Sequence, residues 1–244
     1  MQEAVIVDAV RTPFGDRDGP FRDPHPNDLP AEPFHALFER VGFEPADIED
    51  VVYGYVSSVG EQGLNIGRIA PMVAGWGDGV PGVQLNRMWG SGQQAVNFAA
   101  GQIRAGYHDI LVAGGIEHMT RVPMGSDGDA EEGVVDEHAV TDTYLEYYDE
   151  ITSQGEGAER IAEEYGFSRD DVDEDGHPRP GTTRADLHKL PMAFREEGDG
   201  FHHAGNSSDI VDGASALSQE VADERGWEPM ARVVQTEIVG VDPV

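Results

Sequence analysis

The sequence predicts an α/β fold: a mixed, mostly parallel five-stranded sheet with helices on both faces, interrupted by an inserted segment. Three observations predict it. Short β-branched runs alternate with stretches of helical apolar spacing over the first 113 residues, the pattern of strands joined by covering helices. Gly114 to Gly205 then changes character and becomes rich in Gly, Asp, Glu and Pro. Regular patterning resumes after it, so the excursion is bracketed by one core. The resulting division is a core of residues 1–118 and 206–244 around an insertion of residues 119–205.

Taken in order, Ala4 to Ala9 is a β-branched run and reads as a buried strand. Arg11 to Pro30 holds Gly, Pro and Asp and reads as a loop. Ala31 to Val41 places Phe34, Leu37, Phe38 and Val41 on one helical face. Ile48 to Val56 is a second strand, and Asn65 to Ala74 a short helix spaced by Ile66, Ile69 and Val73. Val80 to Leu85 ends a third strand. From Ser91 to about Gly106, Ala95, Phe98, Ala99 and Ile103 recur at helical spacing, with Val96 and Ala100 extending the apolar face. Asp109 to Ala113 is a fourth strand. Within the insertion, Gly157 to Tyr165 is the best helix and Thr183 to Leu190 a weaker one. The spacing then predicts a helix over Gly213 to Arg225 and a strand over Ala231 to Val239.

Charge narrows the functional classes. The 244 residues carry 47 acids against 16 bases, a net charge of −31, and Lys189 is the single lysine. Nucleic-acid binding is disfavoured, because it needs clustered bases to neutralise phosphates. The acids are spread through a periodic, Gly-rich chain, which points to a folded, halophilic protein adapted to high salt. Screening shortens to roughly 3 Å at 1 M salt and removes most of the self-repulsion. No cysteine is present, which excludes disulfides, thiolate metal sites and cysteine catalysis. The N-terminus has no basic region ahead of an apolar core, and no apolar run approaches about 18 residues. The expectation is a soluble, cytoplasmic protein with no membrane partner.

The stretch that organises the chain runs from Val83 through Asn86-Arg87-Met88-Trp89-Gly90-Ser91-Gly92 to Ala100. A strand ends, two glycines permit a tight turn, and a helix begins. Backbone N–H groups and the helix dipole at such a point stabilise a thiolate or oxyanion. A nucleophile would be well placed at position 89, which holds tryptophan.

This stretch resembles the active-site segment of the thiolases, with Trp89 where they have their acylated cysteine. Glu3 to Phe14, Val59 to Asn65, Val112 to Met119, Arg121 to Asp127, Gly155 to Arg169, Ala204 to Ala214 and Gly240 to Pro243 also resemble thiolase segments, in family order. The resemblance implies a thiolase-like N-terminal core domain with a loop domain shortened between Arg169 and Arg179, and a second domain that would begin after Val244. It implies acyl transfer to CoA, or Claisen condensation of two acyl-CoAs, with CoA as substrate and no cofactor or metal. A thiolase draws its nucleophile from this half and its His base, second Cys and water-positioning Asn from the other. It also implies a homodimer, or a separate C-terminal thiolase half as partner.

Position 89 decides the chemistry expected. Thiolase turnover needs a soft nucleophile that attacks a thioester, carries the acyl group and leaves again. An indole offers only an N–H donor, so the chain alone is expected to be inactive, a pseudoenzyme. Ser91 lies one residue past the turn, and Trp89 fills the first glycine position of the serine-hydrolase elbow; a role at the helix start suits Ser91 better. By resemblance the CoA-binding residues are Arg179, Phe194, Ala204 and Ser208. Asp209 replaces a family glycine, and a carboxylate there would repel an acyl-CoA polyanion. Asp186 stands where thiolases have a small polar contact.

Two other readings stay open. The chain is the catalytic half of a split thiolase completed by a separate C-terminal chain, or it is a nucleotide-binding module. The last rests on Gly90-x-Gly-x-x-Ala95 with Asp109 downstream, a poor fit because that acid begins a strand rather than ending one. His202-His203 reads as a surface pair, since strand neighbours point to opposite faces.

Overall fold

The computed structural model describes residues 2–128, 141–147, 152–172, 182–196, 198–207, 211–221 and 226–238. The chain forms two compact units, Met1–Ala139 with Ile210–Val239, and Val140–Asp209 with Gly240–Val244.

The first unit is built on one sheet. Its strands are β1 (Ala4–Arg11), β2 (Gly15–Asp16), β3 (Asp50–Gly54), β4 (Val83–Leu85), β5 (Ile110–His118), β6 (Val211–Val221) and β7 (Ala231–Arg232). Their order is β4-β3-β5-β6-β1-β7, with β2 also on β6. β3 runs parallel to β4 and β5. β6 runs antiparallel to β5, β1 and β2, and β7 antiparallel to β1.

Period-two alternation loads both faces. Val51 and Tyr53 of β3, with Ile110, Val112 and Ile116 of β5, join one buried cluster. Val52, Leu111 and Ala113 join another. Helices α1 (Ala31–Val41) and α2 (Ile66–Val73) cover the first face, where Phe34 and Phe43 meet Trp76 edge-on at 5.0 and 5.1 Å. Helix α3 (Ser91–Ala105) covers the second through Ala95, Ala99, Ala100 and Ile103. It ends at Gly106, whose φ of 74° provides the left-handed cap.

The α/β class with helices on both faces holds, but the sheet departs from the expectation in strand count and sense. It has seven strands rather than five, and antiparallel pairings outnumber parallel ones. The cause is 213–225. Its Ala, Leu and Glu favour a helix, yet 211–221 form β6, inserted between β5 and β1. A Cβ on Gly114 would lie 2.2 Å from the Ser215 carbonyl oxygen, so the two backbones lie very close there. Buried Ala214 and Ala216 suit this narrow strand position, and sheet context overrides propensity. The strand expected over 231–239 shortens to the two residues of β7.

Within α3, Phe98 is 46% exposed, whereas Ser91 and Gln94 are buried. The apolar face is therefore narrower than the spacing suggests.

The first unit extends past residue 118. Thr120 Oγ1 accepts the Asp18 N–H at 3.0 Å, and Arg121 forms a forked pair with Glu61. In the second unit the helices are α4 (Asp142–Tyr147), α5 (Gln154–Tyr165), α6 (Arg169–Val172) and α7 (Arg184–Leu187). Ser153 caps α5 by accepting the Glu156 N–H at 3.2 Å.

Candidate functional site

Trp89 sits at the apex of the turn between β4 and α3. Its φ is +56°, and it is 69% exposed. The turn is closed from both sides beneath it. Gly90 N–H donates to the carbonyls of Arg87 and Met88, each at 2.7 Å. Ser91 Oγ accepts the Arg87 N–H, and Asn86 Oδ1 the Met88 N–H, both at 3.0 Å. Asn86 Nδ2 donates to the Val56 carbonyl at 3.3 Å. Ser91 thus fastens the turn. A left-handed backbone at a bulky aromatic is strained and persists only where its surroundings hold it. Gly54, at the end of β3, lets this helix start come close: a Cβ there would lie 2.3 Å from the Ser91 carbonyl carbon.

A polar network occupies the same C-terminal end of the parallel strands. Gln84 Oε1 accepts from the Tyr55 hydroxyl at 2.5 Å and from Ser58 Oγ at 3.1 Å. Burial pushes the Tyr55 phenol pKa up, opposed by bonds from the Ile66 N–H and Ser58. Glu117 accepts the Val56 N–H at 3.0 Å and Gln62 Nε2 at 2.8 Å. Gln62 is wholly buried; it also donates to the Ser57 carbonyl and accepts the His118 N–H. Sequence reasoning singled out none of these groups, although Gln62 and Glu117 lie inside thiolase-like segments.

The nucleotide fingerprint does not assemble. Gly90 lies at the C-terminal end of the parallel strands, while Asp109 precedes β5 at their N-terminal end. The whole length of α3, roughly 20 Å, separates the two. The Asp109 N–H is taken by the Glu49 carboxylate.

In the second unit, Phe194 is 45% exposed and Ala204 is exposed. An isolated antiparallel bridge between Met192 and His203 sets the arms that carry them side by side. Arg179, Ser208 and Asp209 lie outside the described residues. Asp186 is engaged locally by Thr183 and Lys189, and these bonds lower its pKa to about 2. His203 is buried and the His202 side chain only 16% exposed, so this is no surface pair: their segment folds back onto α5. Among the described residues no His, Cys, Asp and Glu group could hold a metal, and no helix is long and apolar enough to cross a membrane.

Comparison with known proteins agrees with this architecture. The sequence model of the thiolase N-terminal domain matches residues 4–174. The chain belongs to the thiolase family. It is 32% identical to a steroid 3-ketoacyl-CoA thiolase of Mycobacterium tuberculosis, with all of this chain and 69% of that protein covered. It is 34% identical to a 3-ketoacyl-CoA thiolase of Saccharophagus degradans, covering 99% of this chain and 71% of that one. The crystal structure of the Bacillus anthracis acetyl-CoA acetyltransferase superposes with a TM-score of 0.83 at 29% identity, covering all of this chain and 72% of that one. These shares exceed the half of a thiolase that the motifs suggest. The Mycobacterium alignment runs over 280 positions against 244 residues here, so that thiolase carries extra residues within the aligned span.

Proposed function

We propose that this thiolase-family chain binds acyl-CoA without forming an acyl-enzyme, because Trp89 stands at the nucleophile position. The observation that carries the reading is the placement of an exposed indole at the strained apex before α3 in a chain without cysteine. Thioester exchange requires a nucleophile that becomes covalently acylated. The indole has no ionisable heteroatom for it near neutral pH. The neighbouring hydroxyl, Ser91, is engaged by the turn backbone. Acyl-CoA as ligand is supported by the family and by the half-exposed Phe194 beside the arm that bears Ala204, and its binding must outweigh the repulsion expected from the Asp209 carboxylate. The test is calorimetric titration with CoA, paired with a thiolysis assay on acetoacetyl-CoA. Binding without turnover is expected; turnover by the chain alone refutes the reading.

A second reading, a site completed by a homodimer partner or a separate C-terminal thiolase chain, draws on the exposed Val83, Met88, Trp89 and Phe98 along β4, the turn and α3. Apolar groups gathered at one place mark partner surfaces. It predicts that turnover appears only when such a partner is added.

A further inference from the structure

We propose that Glu159 is a positioning residue that holds the Phe194–Ala204 segment in its ligand-binding shape, an inference that rests on the acyl-CoA reading above. Glu159 lies on the buried face of α5 with Gly155 and Ala162 and is wholly buried. A buried carboxylate is tolerated only when it is hydrogen-bonded or paired. Among the described residues its partners come from one turn. Oε2 accepts the Phe201 N–H at 2.7 Å, Oε1 accepts the His202 N–H at 3.0 Å, and His202 Nδ1 lies 3.4 Å from Oε2.

That turn sets the two ligand-bearing arms. The Ala193 N–H donates to the His202 carbonyl at 2.9 Å, and Met192 bridges His203. Fixing Phe201 and His202 on α5 therefore fixes the register of the arm that leads into Phe194. It also fixes the His203 arm that leads into Ala204. The grip is repeated along the helix. Arg195 reaches Glu156 at 2.8 Å and Glu163 at 2.5 Å, one turn either side of Glu159. Positions 156, 159 and 163 share a helical face, so three acids hold one segment. The Phe194 ring rests on Gly155, where a Cβ would lie 2.1 Å from ring carbon Cδ1. The carboxylate thus belongs to the ligand segment as much as to the helix core.

Glu159→Gln is the direct test. It preserves shape but replaces one accepting oxygen with an NH2 group that cannot accept the backbone N–H. Hydrogen exchange at Phe201 and His202, and CoA affinity, are measured on the whole chain. A charge-assisted hydrogen bond of this kind is worth roughly a ten- to a hundredfold change in an equilibrium. The proposal expects exchange at those two amides to rise by that factor. It expects CoA affinity to weaken at least about tenfold, while the amides of α5 stay protected. Faster exchange with CoA affinity within twofold of wild type overturns it, leaving Glu159 purely structural. Unchanged exchange overturns it as well. A wild-type chain that binds no CoA refutes the acyl-CoA reading and takes this proposal with it, so the two failures are distinguishable. If Glu159→Gln does not fold, Glu159→Asp keeps the charge but withdraws the carboxylate by one methylene. Severalfold weaker CoA binding is then expected, and unchanged affinity overturns the proposal.

Discussion

Gly54→Ala tests the packing that carries the Trp89 turn. The new Cβ would lie 2.3 Å from the Ser91 carbonyl carbon, 2.4 Å from its oxygen and 2.7 Å from the Gly92 nitrogen. These are backbone atoms, so no side chain can rotate away. Carbon–carbon contacts settle at about 3.5–4.0 Å, so the start of α3 must retreat by roughly 1 Å or more. Over-packing of this kind costs about 1–3 kcal/mol, occasionally more. In a chain of this size each kcal/mol moves the midpoint by about 2–4 °C. The expected fall in Tm is therefore roughly 3–10 °C, read by circular dichroism in molar KCl. Gly101→Ala is the control: it lies exposed in α3, and a methyl group there would meet nothing within 4 Å. It should raise stability by about 0.5–1 kcal/mol, since alanine costs less than glycine in a helix. A Gly54→Ala midpoint unchanged from wild type would refute the close approach.

Other consequences are open to measurement. Trp89→Gly removes a bulky residue from a positive φ at little cost in burial; it should stabilise by up to about 1–2 kcal/mol, and a clear destabilisation in a urea titration would contradict the strain. Glu156 is lowered from 4.5 to about 2, chiefly by Arg195 and then by Arg160. Its folded value is depressed, so its contribution is present above the unfolded value and lost as pH falls from about 4.5 toward 2. Amide exchange in α5 should accelerate across that window, and Glu156→Gln should remove the pH step. The −31 charge predicts a midpoint that rises from about 0.1 M to above 1 M KCl as screening shortens; a flat or falling midpoint would count against a halophilic protein.

Much of the first unit was legible in the residues. Helix α1 and the start of α3 fall where apolar spacing and the glycine-rich turn put them. The strand-turn-helix around Trp89 was readable because strand, glycines and helix leave separate local marks. β6 was not, because Ala-Ser-Ala-Leu satisfies a helical and an alternating pattern equally well, and only its neighbours β5 and β1 decide. Phe98 was misplaced because helical spacing alone does not say which edge of a face meets the sheet. Glu159 carried no local signal: a glutamate on a helix reads as solvated until the turn at Phe201 and His202 folds over it. Its hydrogen-bond partners lie more than forty residues away in sequence. Of the candidate ligand contacts, Phe194 and Ala204 lie on arms joined by the Met192–His203 bridge, while Arg179 and Ser208 lie outside the described residues.

By this proposal no acyl-enzyme forms at the turn before α3. Intact-mass spectrometry of the whole chain after incubation with acetyl-CoA tests it most directly, with peptide mapping of residues 83–104. An unmodified mass is expected while calorimetry on the same sample registers CoA binding. An added acetyl group mapped to this turn, formed at a rate that matches thiolysis turnover, would contradict it.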